Sequence, residues 1–308
     1  MTQFFKQLLI FFLVFLLIFS LGFLLPATPA SKNNMLFGKI LKDSLLVHIK
    51  TPRIIFMGGS NLVFGLNSQM VKDSLGLNPV NAGLAVSLGS IYMMDDILPQ
   101  IQEGDLVIFS PEYSLYFGNY AYGHNDLFRL LMDVERSGFK KLRAGHIINM
   151  VNVAPDYWLY KFKVKSYTLP KEDQIYGKHI FNAYGDSDFH WKYGNREFPP
   201  LNILNKSFNY KVFLELLKFN DEIEKKGATL YLTYPCLQET SFNIIKEEQI
   251  VKVQEALEKS DLKVLGSPER YRMPDSLMFE SPYHLIKEGV DHRTALLIED
   301  LKQIKLNE

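Results

Sequence analysis

At 308 residues, 47% of them apolar, the chain has material for one large α/β domain with insertions, or for two small ones. Lys+Arg and Asp+Glu both number 34, so no charge excess points to nucleic acid, and no nucleic-acid motif is present. The single cysteine, Cys236, excludes an internal disulfide framework and any multi-cysteine metal site; placed just after an apolar run, it reads as buried packing before it reads as a nucleophile.

Leu8 to Leu25 is an uncharged run of Leu, Phe, Ile and Val, broken only by Ser20 and Gly22. Its length is about that needed to cross a bilayer and exceeds most signal-peptide cores. Lys6 and the amino terminus precede it, which favours a cytoplasmic N-terminus and an exported remainder. Ala27-Thr-Pro-Ala30 resembles a small-residue cleavage site, but its proline and the length of the run favour an uncleaved anchor over a cleaved signal peptide. Residues 1–30 are therefore expected as anchor or signal segment and 31–308 as the folded domain.

After a polar lead-in over 31–50, Arg53 to Met57 reads as a buried strand closed by Gly58-Gly59. A helix over roughly 61–75 should follow, with Leu62, Val63, Leu66, Met70 and Val71 on its inner face. A short second strand from Asn78 should reach Gly83, and a helix over 90–101 brings the chain back. The third strand, over 104–110, ends in Pro111-Glu112-Tyr113. Strand, helix, strand, helix, strand is the rhythm of a doubly wound parallel sheet.

Residues 113–208 break that rhythm. They are rich in Tyr, Phe and Trp, carry one predicted helix over 125–141, and read as an inserted cap that either forms its own small core or shapes a substrate pocket. Within the cap, Asp186, Asp188 and His190 are metal-competent residue types, but the density of turn formers around them reads first as a solvated turn. Helices over 210–226 and 242–259 then flank a fourth strand over 227–235, and a short fifth strand spans 262–266. A final helix over 287–305 closes the chain, giving five parallel strands in all.

Ser60 stands at the carboxyl end of the first strand, beside a helix N-terminus where backbone N–H groups favour negative charge. The plainer reading is an N-cap serine after a glycine turn. His284, held by a Pro282 turn before the last helix, lies on the same edge of such a sheet and could take the serine's proton. Gly58-Gly-Ser-Asn61, Asn81-Ala-Gly83 and Tyr283-His-Leu285 with Glu288-Gly289 together resemble three blocks of the SGNH (GDSL-like) hydrolase superfamily, from Arg53 to the end. The resemblance implies Ser60 as nucleophile, His284 as base and the Gly83 N–H as an oxyanion donor, with Asn61 as a further donor. Two positions depart from the pattern. Where the family places an oxyanion asparagine, this chain has Ser110-Pro-Glu-Tyr113, so a charged Glu112 must point elsewhere or be protonated. Where the family places an aspartate three residues before the histidine, it has Ser281, leaving Glu280 as the natural substitute and Asp275 as a poorer one.

The anchored topology and the Ser-Pro-Tyr-His-Leu ending are similar to a branch linked to O-acylation of bacterial surface polymers, whose members often work beside a membrane-bound O-acyltransferase. The resulting expectation is a single-pass protein of the bacterial cytoplasmic membrane with an extracytoplasmic serine esterase or O-acyltransferase domain acting on acylated envelope polysaccharide. It needs no metal and no organic cofactor. The alternative is a non-catalytic accessory protein that keeps the fold and recruits polymer or an acyltransferase. A cytoplasmic flavodoxin-like nucleotide binder fits neither the apolar segment nor the absence of a Gly-x-Gly-x-x-Gly loop.

Overall fold

The computed structural model describes residues 2–168 and 175–307. A five-stranded parallel sheet has the order β2-β1-β3-β4-β6, from β1 (Arg53–Gly58), β2 (Asn78–Asn81), β3 (Leu106–Ser110), β4 (Thr229–Thr233) and β6 (Val264–Leu265). Between the last two in sequence, β5 (Leu237–Gln238) pairs with β7 (Arg272–Met273) in a separate two-stranded sheet that the sequence reading missed. β1 lies between two neighbours, pairing Phe56 with Asn81 on one side and with Ile108 on the other. Every residue of β1 is buried, as expected of a central parallel strand, whose two faces are both covered.

Helices cover the sheet in two groups. Ser68–Leu75 packs on β2 and against Lys287–Asn307, which also reaches β6. Ser90–Ile97 packs on β1 and Tyr210–Lys225 on β4, and these two helices touch each other. At the base of β1 the fully buried Arg53 guanidinium donates to the Asp105 carboxylate (Nε to Oδ1 2.8 Å) and to the carbonyls of Leu46 and Gln100.

Several elements are shorter than the apolar periodicity suggests, and each break has a local cause. The helix expected over 61–75 is a single turn, Ser60–Val63, followed by the helix Ser68–Leu75. Asn67 restarts it by accepting from the Met70 N–H, and its own N–H donates to Thr294. β2 stops at Asn81, so Gly83 lies beyond the strand. Pro99 tightens the end of the next helix into a 3₁₀ turn, and a π-turn over Lys246–Ile250 interrupts the helix expected over 242–259. The inserted region is more regular than an irregular cap: beyond Asn125–Asp133 it holds the helices Ala144–Val151 and Ala154–Lys161.

The N-terminal helix, Thr2–Leu24, is by length and composition apolar enough to cross a membrane, a test that a signal sequence also meets. Its last turns dock on the insertion. Phe19 stacks on Trp158 with centroids 5.9 Å apart, Phe23 stacks on Tyr157 at 6.1 Å, and Gly22 is in direct contact with the Trp158 ring. Lys161, fully buried, ties the segment down by donating to the Pro26 carbonyl at 3.0 Å and to Asp133 at 2.7 Å.

Candidate active site

β1 ends at Gly58, and the chain turns through Gly59 into the short helix that begins at Ser60. A side chain at Gly59 has no room: its Cβ would lie 2.6 Å from Glu112 Oε1 and 3.0 Å from the Val86 backbone. The tight turn delivers the partly exposed Ser60 hydroxyl to the carboxyl edge of the sheet. There Ser60 Oγ lies 2.8 Å from His284 Nε2, and His284 Nδ1 lies 2.8 Å from Glu280 Oε1 and 3.3 Å from Oε2.

A carboxylate only accepts, so the bond to Glu280 places the imidazole proton on Nδ1 and leaves Nε2 as acceptor of the Ser60 hydroxyl. Burial by itself would raise the Glu280 carboxyl. The hydrogen bond and charge of His284 and the Tyr176 hydroxyl, donating at 2.7 Å, outweigh it and hold Glu280 below the usual carboxylate range. Phe64 stacks on the His284 ring at 4.4 Å. His190 supports the same loop from below, with Nε2 3.0 Å from the Leu285 carbonyl and Nδ1 3.1 Å from Ser187 Oγ. Burial pushes His190 down to about 4, so its ring is neutral at physiological pH.

The oxyanion side is arranged differently from the sequence expectation. The Gly83 N–H donates to Asn81 Oδ1 at 3.0 Å. Asn61 is fully buried and turned inward: Nδ2 donates to the Ser110 carbonyl at 3.1 Å and approaches Glu112 Oε1 at 3.4 Å. Its Oδ1 faces Ser110 Oγ at 3.3 Å and the buried Arg293, whose Nη1 donates to the Gly65 carbonyl at 2.9 Å. Among the described residues the backbone N–H groups of Ser60 and Val86 make no hydrogen bond, and both border Gly59. Glu112 itself is buried beside this turn. Burial raises its carboxyl, against the opposing effects of His284 and the Asn61 donors. Protonated, it is a hydrogen-bond donor and no longer a repelling charge.

The remaining candidates lie elsewhere. Asp275 binds the Thr240 N–H at 3.1 Å and Gln238 Nε2 at 3.2 Å, apart from His284. The Asp186 carboxylate accepts from Ser68 N and Oγ at 2.8 Å each and from Asn81 Nδ2 at 2.8 Å. Within the loop read as a solvated turn, Asp186, Ser187 and His190 are therefore buried braces while Asp188 is exposed, and no group of metal-competent side chains is found among the described residues. Cys236 is buried, and its thiol donates to the Tyr283 carbonyl at 3.2 Å. The sequence pattern gave no sign of Tyr176 and offered His190 only as a metal-competent residue type in a turn: each is one of many aromatic or polar residues in an insertion with no periodicity, and only the fold brings them to the His284 loop.

No family model and no curated protein matches the chain.

Proposed function

We propose that the protein is a membrane-anchored serine esterase or O-acyltransferase that acts on acylated cell-envelope polysaccharide from the extracytoplasmic side. The observation that carries the reading is the unbroken hydrogen-bonded chain from Ser60 through His284 to Glu280, at 2.8 Å for each step. Two further features support it. The strand order, with helices in two groups, fits a doubly wound sheet of the SGNH kind, and the site stands at the carboxyl ends of β1 and β3. The apolar N-terminal helix supplies the anchor.

In this mechanism His284 Nε2 takes the Ser60 proton as Oγ bonds to the acyl carbonyl carbon. Glu280 holds Nδ1–H and stabilises the imidazolium that forms. The tetrahedral oxyanion lies near the N–H groups of Ser60 and Val86, with Glu112, whose carboxyl burial raises, at their side. Its collapse expels the alcohol, which leaves with the proton from Nε2, and an acyl-Ser60 remains. Water, or a sugar hydroxyl, then surrenders its proton to His284 and attacks the acyl carbon. Hydrolysis and transfer differ only in that acceptor.

The occupied Gly83 N–H and the inward Asn61 amide favour a second reading, an accessory protein that recruits polymer or a membrane-bound O-acyltransferase without turnover. A fluorophosphonate probe separates the two when applied to the full-length chain in membranes. Catalysis predicts one adduct on Ser60 by intact mass, lost in Ser60→Ala and in His284→Ala. A folded wild type that takes no label assigns the accessory role.

A further inference from the structure

Among the described residues, half of the large apolar side chains exposed outside the N-terminal helix fall between residues 139 and 167. They include Ile147, Ile148 and Val151 on the helix Ala144–Val151, Leu159 on the helix Ala154–Lys161, and Phe162 and Val164 just beyond it; Val164 is 81% exposed. Soluble surfaces rarely gather so many, since apolar area left in water forgoes the stabilisation of burial. The two short helices touch each other, and the second touches the N-terminal helix. From Trp158 the apolar surface continues onto Phe162, whose ring lies 4.5 Å away, and onto Phe19.

Depth follows from helix geometry. With Lys6 at the inner boundary, a hydrocarbon core of ~30 Å takes ~20 residues at 1.5 Å each, which puts the outer boundary near Pro26. Phe19 then lies about 10 Å below that boundary, and so does the Trp158 ring stacked on it. The Lys161 bond to Pro26 fixes this height. Exposed Lys163 and Lys165 flank Val164, and exposed Arg136 and Lys140 flank the exposed Phe139 just before these helices in sequence; such long basic side chains can reach anionic headgroups while their stems stay in the apolar zone.

We propose that the face built by Ala144–Val151, Ala154–Lys161 and Phe162–Val164 is a second membrane element that lies in the outer lipid leaflet beside the anchor helix and binds anionic lipid along its basic fringe. It rests on reading Thr2–Leu24 as an anchor. The domain would thus be seated in the bilayer surface on a broad apolar base, and not carried above it on a stalk.

The test uses the full chain in vesicles of phosphatidylcholine and phosphatidylglycerol. An environment-sensitive fluorophore is placed on Ile148→Cys, Phe162→Cys, Phe12→Cys or Leu214→Cys, with the unsubstituted chain as background for the buried Cys236. Spin-labelled lipid is the quencher. The proposal requires quenching at 148 and 162 several-fold above that at 214, with 12 quenched as well. Quenching at 12 alone overturns it and leaves the anchor intact; no quenching at 12 overturns both. Shielding at 148 and 162 that appears in native membranes but not in pure lipid assigns the face to a protein partner and also overturns it.

Discussion

Replacing Glu280 by Gln tests the hydrogen-bonded chain at the link where sequence and structure leave most to decide. In the wild type Oε1 accepts from His284 Nδ1 at 2.8 Å and from the Tyr176 hydroxyl at 2.7 Å. An amide oxygen kept at that position can accept both bonds, so Nδ1 keeps its proton and Nε2 remains the base. Only the negative charge facing the imidazolium is lost. At a separation of about 4 Å and an effective dielectric near 20 that charge contributes roughly 4 kcal/mol, or about 10³-fold in rate. The opposite amide orientation puts NH₂ against Nδ1, moves the proton to Nε2 and removes the base, a loss nearer 10⁴-fold. Tyr176, which donates in the wild type, holds the oxygen inward. Glu280→Gln should therefore cost about 10³-fold in the second-order rate of fluorophosphonate labelling. Adding Tyr176→Phe should carry the loss toward about 10⁴-fold, while Tyr176→Phe alone should stay within about tenfold. Labelling rates are read by intact mass on full-length protein, with matched thermal midpoints as the folding control. A Glu280→Gln variant within tenfold of wild type would refute the assignment of Glu280 as the partner of His284.

The other predictions concern stability. Glu112 has a raised carboxyl, so above its unfolded value the native state holds a proton that the unfolded chain has released, and stability falls as pH rises. Glu112→Gln removes that penalty: the thermal midpoint should exceed wild type at neutral and alkaline pH and converge with it below about pH 4. Asp105→Asn leaves the buried Arg53 charge without its carboxylate and should cost about 3–5 kcal/mol in denaturant unfolding. The double change Arg53→Met with Asp105→Leu should recover most of that loss. Gly89 has φ +80° and packs so closely that a Cβ would lie 2.2 Å from the Gly123 nitrogen. Gly89→Ala should therefore cost about 3 kcal/mol or more by the same assay, and a loss under 1 kcal/mol would discredit the geometry there.

What could be read from the chain was what local chemistry encodes. Continuous apolar runs bounded by glycine or proline marked β1, β3 and β4, because a strand covered on both faces has no polar alternation to confuse it. Ser60 and His284 were legible because each stands at a strand or helix boundary that turn residues announce. Helix breaks were not: the first turn ends at Val63 and Asn67 starts the next helix through its side chain, a break that the apolar spacing across it conceals. Nor was the bonding on the oxyanion side, since whether the Asn61 amide faces substrate or the Ser110 carbonyl depends on a strand forty-nine residues away. The helix Ala144–Val151 passed unseen for another reason. Its apolar residues do not all face a core, so its pattern is not that of an ordinary globular helix.

The insertion's bonds to the site have a consequence for engineering. Asp186 pins the segments carrying Ser68 and Asn81, while His190 props Leu285, next to His284. The insertion is thus a buttress, and it cannot be treated as a detachable cassette. Grafting another insertion between β3 and β4 would strand Lys42, whose Nζ donates to the Gly185 and Asn81 carbonyls, and would let the His284 loop sag. Variation in this architecture is best sought in exposed side chains of the insertion, with its inward polar braces left untouched.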